Sequence, residues 1–343
     1  MRHTMAALKY TPLDPQLDEL IQRSFRGRRQ ILCEGFMVTV GFKEIADDIL
    51  NMEVREDDVW VCTYPKSGTT WTEELVWCIA NDLDFSGAKV SQCLRFPFLE
   101  FTQMFRGRND TPSIDKENLE LPLRVLTNSV EFVKEMKSPR FIKTHLPFCL
   151  LPLQLQRGIV KPKIIHVHRN PMDLCISYYH HSQLMMGYNG TLEDFAALFI
   201  KDSLLCTPFW KHHLGYLEKK TDFNILYLKY EDMKKDLASN VRKTADFLSK
   251  PLTDEQVQML CDHLSFNNMK NNPSSNNEDV VSMTKRFNKV ESEGRFLREG
   301  TVGQWKSKFS PEWVSRFRKW TEANVQGTEL ENVVEMTNGV INV

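Results

Sequence analysis

Apolar residues in this chain collect in short runs separated by stretches of helical spacing. Val59-Trp60-Val61-Cys62 is apolar and β-prone throughout, as a strand covered on both faces should be. Residues 140–147, 162–168 and 224–228 hold three more such runs. Between them the period changes. Trp71, Leu75, Cys78 and Ile79 share one face of a helix that starts at Thr69 and ends near Asn81 and Asp82. The same spacing predicts helices over 43–50, 121–137, 192–217 with a break near Pro208, 240–249, 253–264 and 311–324, and one that carries Leu174, Ser177, Tyr178 and His181. Residues 1–35 read as a surface arm with a short helix, 38–40 as an edge strand, and 267–277, rich in Asn and Ser, as a loop. Strands alternating with helices predict an α/β fold, a mostly parallel sheet flanked by helices on both faces. No repeat and no Pro/Gly/Ser linker divides the chain, so 1–343 reads as a single domain with its core at about 35–325.

Composition adds limits. The chain has 343 residues, 41% hydrophobic and 26% charged, enough for a large core. With 44 basic and 45 acidic residues the formal net charge is −1, so neither nucleic acid nor an anionic membrane is an expected partner. The cysteines show no Cys-x-x-Cys and no zinc spacing, and read as free thiols in a reducing compartment. No run is long enough to span a membrane, and the N-terminus is no signal peptide; a cytoplasmic protein is expected. Any anion site must therefore be local.

The segment after the first core strand, Thr63-Tyr64-Pro65-Lys66-Ser67-Gly68-Thr69-Thr70-Trp71, offers one. A helix N-terminus presents free N–H groups and a partial positive charge. Gly68 admits an anion close to the backbone, Lys66 adds a charge, and Ser67, Thr69 and Thr70 add hydroxyls. The lysine precedes the glycine, so this is not a Walker A loop. Read alone, the segment is equally a strand, a turn and an ordinary helix start. In parallel sheets, however, ligands bind beyond the carboxyl ends of the strands. The ends of three predicted strands carry Lys66, then Lys143 with His145, then Arg169. A small-molecule kinase is the competing reading of such a loop; it would need a magnesium carboxylate and no further phosphate clamp.

Together these residues resemble the cytosolic sulfotransferases. Thr63 to Trp71 looks like their 5′-phosphosulfate loop, Lys143-Thr144-His145-Leu146-Pro147 like their catalytic segment, and Arg169-Asn170-Pro171 with Ser177 like their 3′-phosphate clamp. Tyr230-Glu231-Asp232-Met233 resembles the segment near the adenine, and Phe296-Leu297-Arg298-Glu299-Gly300 the C-terminal loop. Glu74-Leu75-Val76-Trp77 is similar to the insect branch, which includes a retinol dehydratase. The resemblance implies a P-loop-like three-layer fold and 3′-phosphoadenosine 5′-phosphosulfate (PAPS) as donor, with product PAP and no metal. It implies His145 as general base, with Lys66 and Lys143 stabilising charge. Ser67, Gly68, Thr69 and Thr70 would hold the 5′-phosphate, and Arg169, Ser177 and Arg298 the 3′-phosphate. Trp71 and Phe266 would sandwich the adenine, with Tyr230, Ser265, Met269, Phe296, Leu297 and Gly300 nearby.

Phe96, Phe98, Phe101, Met104, His181, Met185 and Met186 are expected to line an apolar acceptor pocket. They imply a small hydrophobic hydroxyl acceptor: a phenol, steroid, catechol or retinoid-like alcohol. Loss of sulfate from an allylic product, giving a dehydrated molecule, and a weakly active PAP-binding protein are the alternatives. Glu299 stands where the family has lysine, Leu264 where it often has threonine, and His181 where it often has phenylalanine. Lys306 survives from the family's dimer motif, but Ser310, Pro311 and Ser315 do not match it, so a monomer or a different dimer is expected. The long stretch 104–140 is expected to be a lid over the acceptor site.

Overall fold

The computed structural model describes residues 7–106, 123–332, 335–337 and 340–342. Near the N-terminus β1 (Tyr10–Thr11), β2 (Gln30–Cys33) and β3 (Phe36–Thr39) form an antiparallel sheet in that order. Residues 1–35 are thus more than an arm: they supply β1 before the helix Pro15–Ser24 and β2 after it.

The four apolar runs are β4 (Val59–Thr63), β5 (Phe141–Thr144), β6 (Lys163–His168) and β7 (Ile225–Lys229). They lie side by side in the order β5-β4-β6-β7, every pair parallel. Side chains alternate between two covered faces, which is why these strands are apolar at successive positions. Trp60, Cys62, Ile142 and Ile164 pack with Tyr216 on one face. Val59, Val61, Ile165, Val167 and Leu228 pack on the other against Leu75, Val76, Cys78 and Ile79 of the helix Thr69–Ala80.

Three helix readings change. The span 43–50 divides into a 3₁₀ turn, Val40–Glu44, and a short helix, Ala46–Leu50. The span 121–137 gives two helices, Leu123–Thr127 and Ser129–Glu135, broken where Asn128 takes an extended φ of −155°. The Asn-rich loop contains the helix Phe266–Asn271, capped by the Ser265 hydroxyl, and a further helix follows at Glu278–Asn288. Polar composition hid both: the first buries Met269 alone, and the second interleaves its buried Val280, Val281, Met283 and Phe287 with charged and polar residues.

Part of the expected lid, residues 107–122, lies outside the described residues. Its C-terminal flank is not detachable. Val125, Leu126, Val130 and Val133 are buried, and Ser129 Oγ donates to the Leu99 carbonyl at 2.6 Å.

The starts of β4 and β5 are tied by a buried ion pair. Arg140 Nε donates to Asp58 Oδ1 at 2.7 Å and its terminal nitrogen to Oδ2 at 2.6 Å, with both side chains at most 1% exposed. The same nitrogen reaches the Glu53 carbonyl at 2.8 Å. Replacing Arg140 by alanine leaves the buried Asp58 carboxylate without its counter-charge, with the Arg55 N–H at 2.9 Å still donating to it. The expected loss is about 3–5 kcal/mol of unfolding free energy, read by urea denaturation. A loss well below about 1 kcal/mol would mean that the pair behaves as a surface bridge.

Candidate active site

Because the four strands run the same way, their carboxyl ends share one edge. Beyond it the chain makes a tight turn in which Lys66 (φ 70°) and Gly68 (φ 108°) are both left-handed. Gly68 is the helix N-cap, and a Cβ there would stand 2.7 Å from the Tyr230 ring, so conformation and space both require glycine. The first helical N–H groups are thereby left facing the edge.

A cavity of about 340 Å³ opens over this edge. Lys66, Gly68, Thr69, Thr70, Trp71, Arg169, Ser177, Tyr230, Phe266 and Met269 line it, as do Phe296, Leu297, Arg298, Glu299 and Gly300. Lys143, His145, Phe96, Phe98, Phe101, Met104, His181, Met185 and Met186 line it too. Two expected residues do not. Ser265 Oγ caps a helix, accepting from the Asn268 N–H, and Ser67 is fully buried beneath the turn, so neither hydroxyl lines the cavity. Several lining residues escaped sequence reading. Arg28 comes from the N-terminal segment, Glu73 and Glu100 from buried positions, Asn277 from the end of the stretch read as loop, and Thr284 and Asn288 from the helix that follows it. The pattern "Glu in an apolar helix face" was the available signal for Glu73.

His145 is fixed at three points. Its Nδ1 lies 2.8 Å from the Thr63 carbonyl, which can only accept, so Nδ1 carries the proton and Nε2 the lone pair. Its backbone N–H donates to Glu100 Oε1 at 2.7 Å, and its carbonyl lies 3.1 Å from His212 Nε2. Glu100 also accepts from Thr144 Oγ1 at 2.8 Å. Burial pushes the Glu100 carboxyl up to about 7 against these hydrogen bonds. Burial, then the Lys143 charge, holds the His145 imidazole well below its ordinary range, so it stays neutral. The Phe98 ring sits 5.1 Å from the imidazole, placed by a bridge in which Lys143 N–H donates to the Pro97 carbonyl and Leu99 N–H to that of Lys143.

Cations dominate the rest. Lys66 Nζ lies 4.0 Å over the Phe296 ring, and Arg169 lies 4.3 Å over Tyr230 while donating to the Lys66 carbonyl at 2.9 Å. Lys143 Nζ stands 3.4 Å from the buried Glu73 carboxylate. Arg298 pairs with Glu299 and donates to Gln304 Oε1 at 2.5 Å, so the atypical carboxylate competes for the guanidinium itself. The loop bearing Arg298 is anchored by Asp173, which accepts from the Gly303 and Trp305 N–H groups at 2.5 and 3.1 Å. Gly300 lies flat on Phe266, where a Cβ would come within 2.3 Å of the ring. Trp71 Nε1 donates to the Leu264 carbonyl at 2.9 Å, a backbone bond that orients the indole whatever the side chain at 264.

These residues fit an anionic nucleotide. Arg169 Nε is buried without a hydrogen-bond partner among the described residues, four cations converge, and Gly68 leaves a cradle that any side chain would fill. A strand–turn–helix anion seat at a parallel sheet edge is the mark of the P-loop-like class of phosphate-binding α/β proteins. The Sulfotransferase domain model matches residues 56–329, and the chain belongs to the sulfotransferase family. It is 39% identical over 289 residues to the luciferin sulfotransferase of Photinus pyralis, covering 84% of this chain and 77% of that one. It is 33% identical over 298 residues to the amine sulfotransferase of Oryctolagus cuniculus, covering 86% and 89%. A crystal structure of retinol dehydratase with androsterone and inactive cofactor PAP superposes with a TM-score of 0.83 at 31% identity, covering 94% of this chain and 98% of that one. The chain is thus a PAPS-dependent transferase.

Loss of water, then Lys143, Arg169 and Arg298, holds the Lys66 ammonium down to about 7. Below that pH it is charged; above it, a bound anion must restore the proton. PAP affinity should therefore fall by up to about tenfold per unit as pH rises beyond 7, with proton uptake visible in calorimetry. Lys66→Arg should flatten the dependence, and a flat profile in the native chain would contradict the depressed lysine. Glu299→Gln frees Arg298 and should tighten PAP about two- to fivefold, as expected for a half-exposed pair; unchanged or weaker binding would show that Glu299 does not compete.

Proposed function

We propose that this chain transfers the sulfuryl group of PAPS to the hydroxyl of a small hydrophobic acceptor, with His145 as general base. The observation that carries the reading is the His145 tautomer, set by the Thr63 carbonyl, which leaves Nε2 basic at the cavity wall. The acceptor oxygen gives its proton to Nε2 and forms a bond to sulfur, and the bond from sulfur to the 5′-phosphate oxygen breaks. Lys66 meets the charge that develops on that leaving oxygen, and Lys143 the sulfuryl oxygens. The turn N–H groups hold the 5′-phosphate, and Arg169, Ser177 and Arg298 the 3′-phosphate. Trp71, Phe266 and Tyr230 surround the adenine, with Met269, Phe296 and Leu297 beside them.

The acceptor side supports a hydrophobic molecule. Phe98 and Phe101 meet tilted at 5.7 Å and Phe101 and Phe105 edge to face at 5.2 Å, with Met104, Met185 and Met186 beside them on the cavity wall. A phenol, steroid, catechol or retinoid-like alcohol suits this wall. Likeness to retinol dehydratase supports a second reading, in which an allylic sulfate eliminates in the closed cavity. In either case the chain works as one domain in the cytoplasm, without a catalytic metal, and the described flanks of 104–140 add Met104, Phe105 and Val125 to the cavity wall. Among the described residues no helix is long and apolar enough to cross a membrane. Ser310 caps the helix Pro311–Val325 instead of supplying the family's dimer contact, which supports a monomer.

His145→Ala should lower kcat by about 10²–10⁴-fold with labelled PAPS and a panel of phenols, steroids and retinoids, while PAP affinity changes little. Full activity in that variant would refute the base. Product masses with a retinoid separate a sulfate ester from a dehydrated product.

A further inference from the structure

Beneath the catalytic edge, on the sheet face away from the helix Thr69–Ala80, lies a second cluster that sulfuryl transfer does not use. β6 places His166 and His168 on one side, the helix Phe209–Leu217 adds His213, and β7 adds Tyr227. The three histidines are at most 3% exposed. Yet His168 Nδ1, His213 Nε2 and Tyr227 Oη have no hydrogen-bond partner among the described residues. Buried polar atoms are normally satisfied, and several orphans in one place call for an ion or a water between them.

The spacing favours the ion. One ring nitrogen from each histidine lies within 4.8 Å of the other two. Ring centres stand 5.0 Å apart for His166 and His168, 5.1 Å for His166 and His213, and 4.6 Å for His168 and His213. A tetrahedral ion with bonds of about 2.0–2.1 Å to imidazole nitrogen holds its rings about 5 Å apart. His166 Nε2 and His213 Nδ1 already approach to 2.9 Å, so a small opening of that contact admits a shared ligand. The Tyr227 ring stacks on His168 at 4.9 Å and lies 5.3 Å from His166, and its unpartnered oxygen is the candidate fourth donor.

We infer that His166, His168 and His213 form a structural site for a divalent transition metal of the zinc class, with Tyr227 completing it. Nitrogen and oxygen donors without thiolate suit zinc, cobalt or nickel over magnesium or calcium. Such an ion ties two sheet strands to the helix whose His212 backs the His145 carbonyl. Its role is to hold that scaffold, so its loss should lower thermal stability before it alters donor binding.

The test uses the full chain produced in zinc- or cobalt-supplemented medium, dialysed against a weak chelator and assayed for bound metal by mass spectrometry. The expected result is one metal per chain, with the visible absorption of tetrahedral cobalt and a thermal midpoint lowered by a strong chelator. His168→Ala and His213→Leu should each abolish stoichiometric binding, with circular dichroism checking the fold. Tyr227→Phe, which keeps all three histidines, should weaken cobalt binding about 10–100-fold and shift its spectrum. A metal-free native chain, which leaves a buried water as the occupant, would overturn the inference. So would metal that survives both histidine changes, which would place it elsewhere, for instance near Glu74, Cys78 and His263.

Discussion

The constraint on which the rest depends is the parallel register of β5-β4-β6-β7. It pairs Cys62 with both Thr144 and His166, and His168 with Lys229, so all four strands stop at one level. Each chain then leaves the sheet carrying a polar residue: Lys66, His145, Arg169 and Tyr230. Antiparallel pairing would scatter these groups to opposite ends. The Arg140–Asp58 clamp at the other end of β4 and β5 fixes how far each strand extends before it turns.

Gathering Lys66, Lys143, Arg169 and Arg298 around one cavity is electrostatically unfavourable without an anion, and the structure shows how each is accommodated. Lys143 leans on Glu73, Arg298 on Glu299, and Arg169 on the Lys66 carbonyl and the Tyr230 ring. Among the described residues Lys66 rests only on the face of Phe296, and its proton is loosened. The residue proposed to meet the leaving oxygen is therefore the one with most to gain from a bound phosphate. This is preorganisation of charge, in which folding holds the groups in place before the ligand arrives.

How much of this was legible depended on where the signal resides. Strand and loop chemistry is local: Val59 to Trp71 encodes its own strand, turn and helix start, and Lys143, His145 and Arg169 follow from knowing that strands are parallel. Almost every expected lining residue came to one cavity for that reason. Ser67 and Ser265 failed because residue type does not reveal which way a hydroxyl points; one is sealed under the turn and the other caps a helix. Glu100 was invisible because a buried carboxylate looks like a surface one in sequence, and Glu73 left only the weak trace of a carboxylate on an apolar helix. The helix Glu278–Asn288 was missed because its surroundings are polar and its apolar residues bury against distant elements.

That missed helix bears on how the two halves of the cavity communicate. At its start the Asn277 amide donates to Thr70 Oγ1 at 3.3 Å, beside the phosphate seat, and Glu278 accepts from the Phe296 N–H at 3.1 Å, next to Lys66. At its end the Phe287 ring meets Phe105 at 4.6 Å and Asn288 donates to the Met185 carbonyl at 2.7 Å, both on the acceptor wall. One rigid element thus touches the donor seat at one end and the acceptor wall at the other. A bound anion that draws Lys66 and the Phe296 loop together acts on the same helix that shapes the apolar wall. Any coupling between donor and acceptor binding has a contiguous physical route here, without requiring the sheet to move.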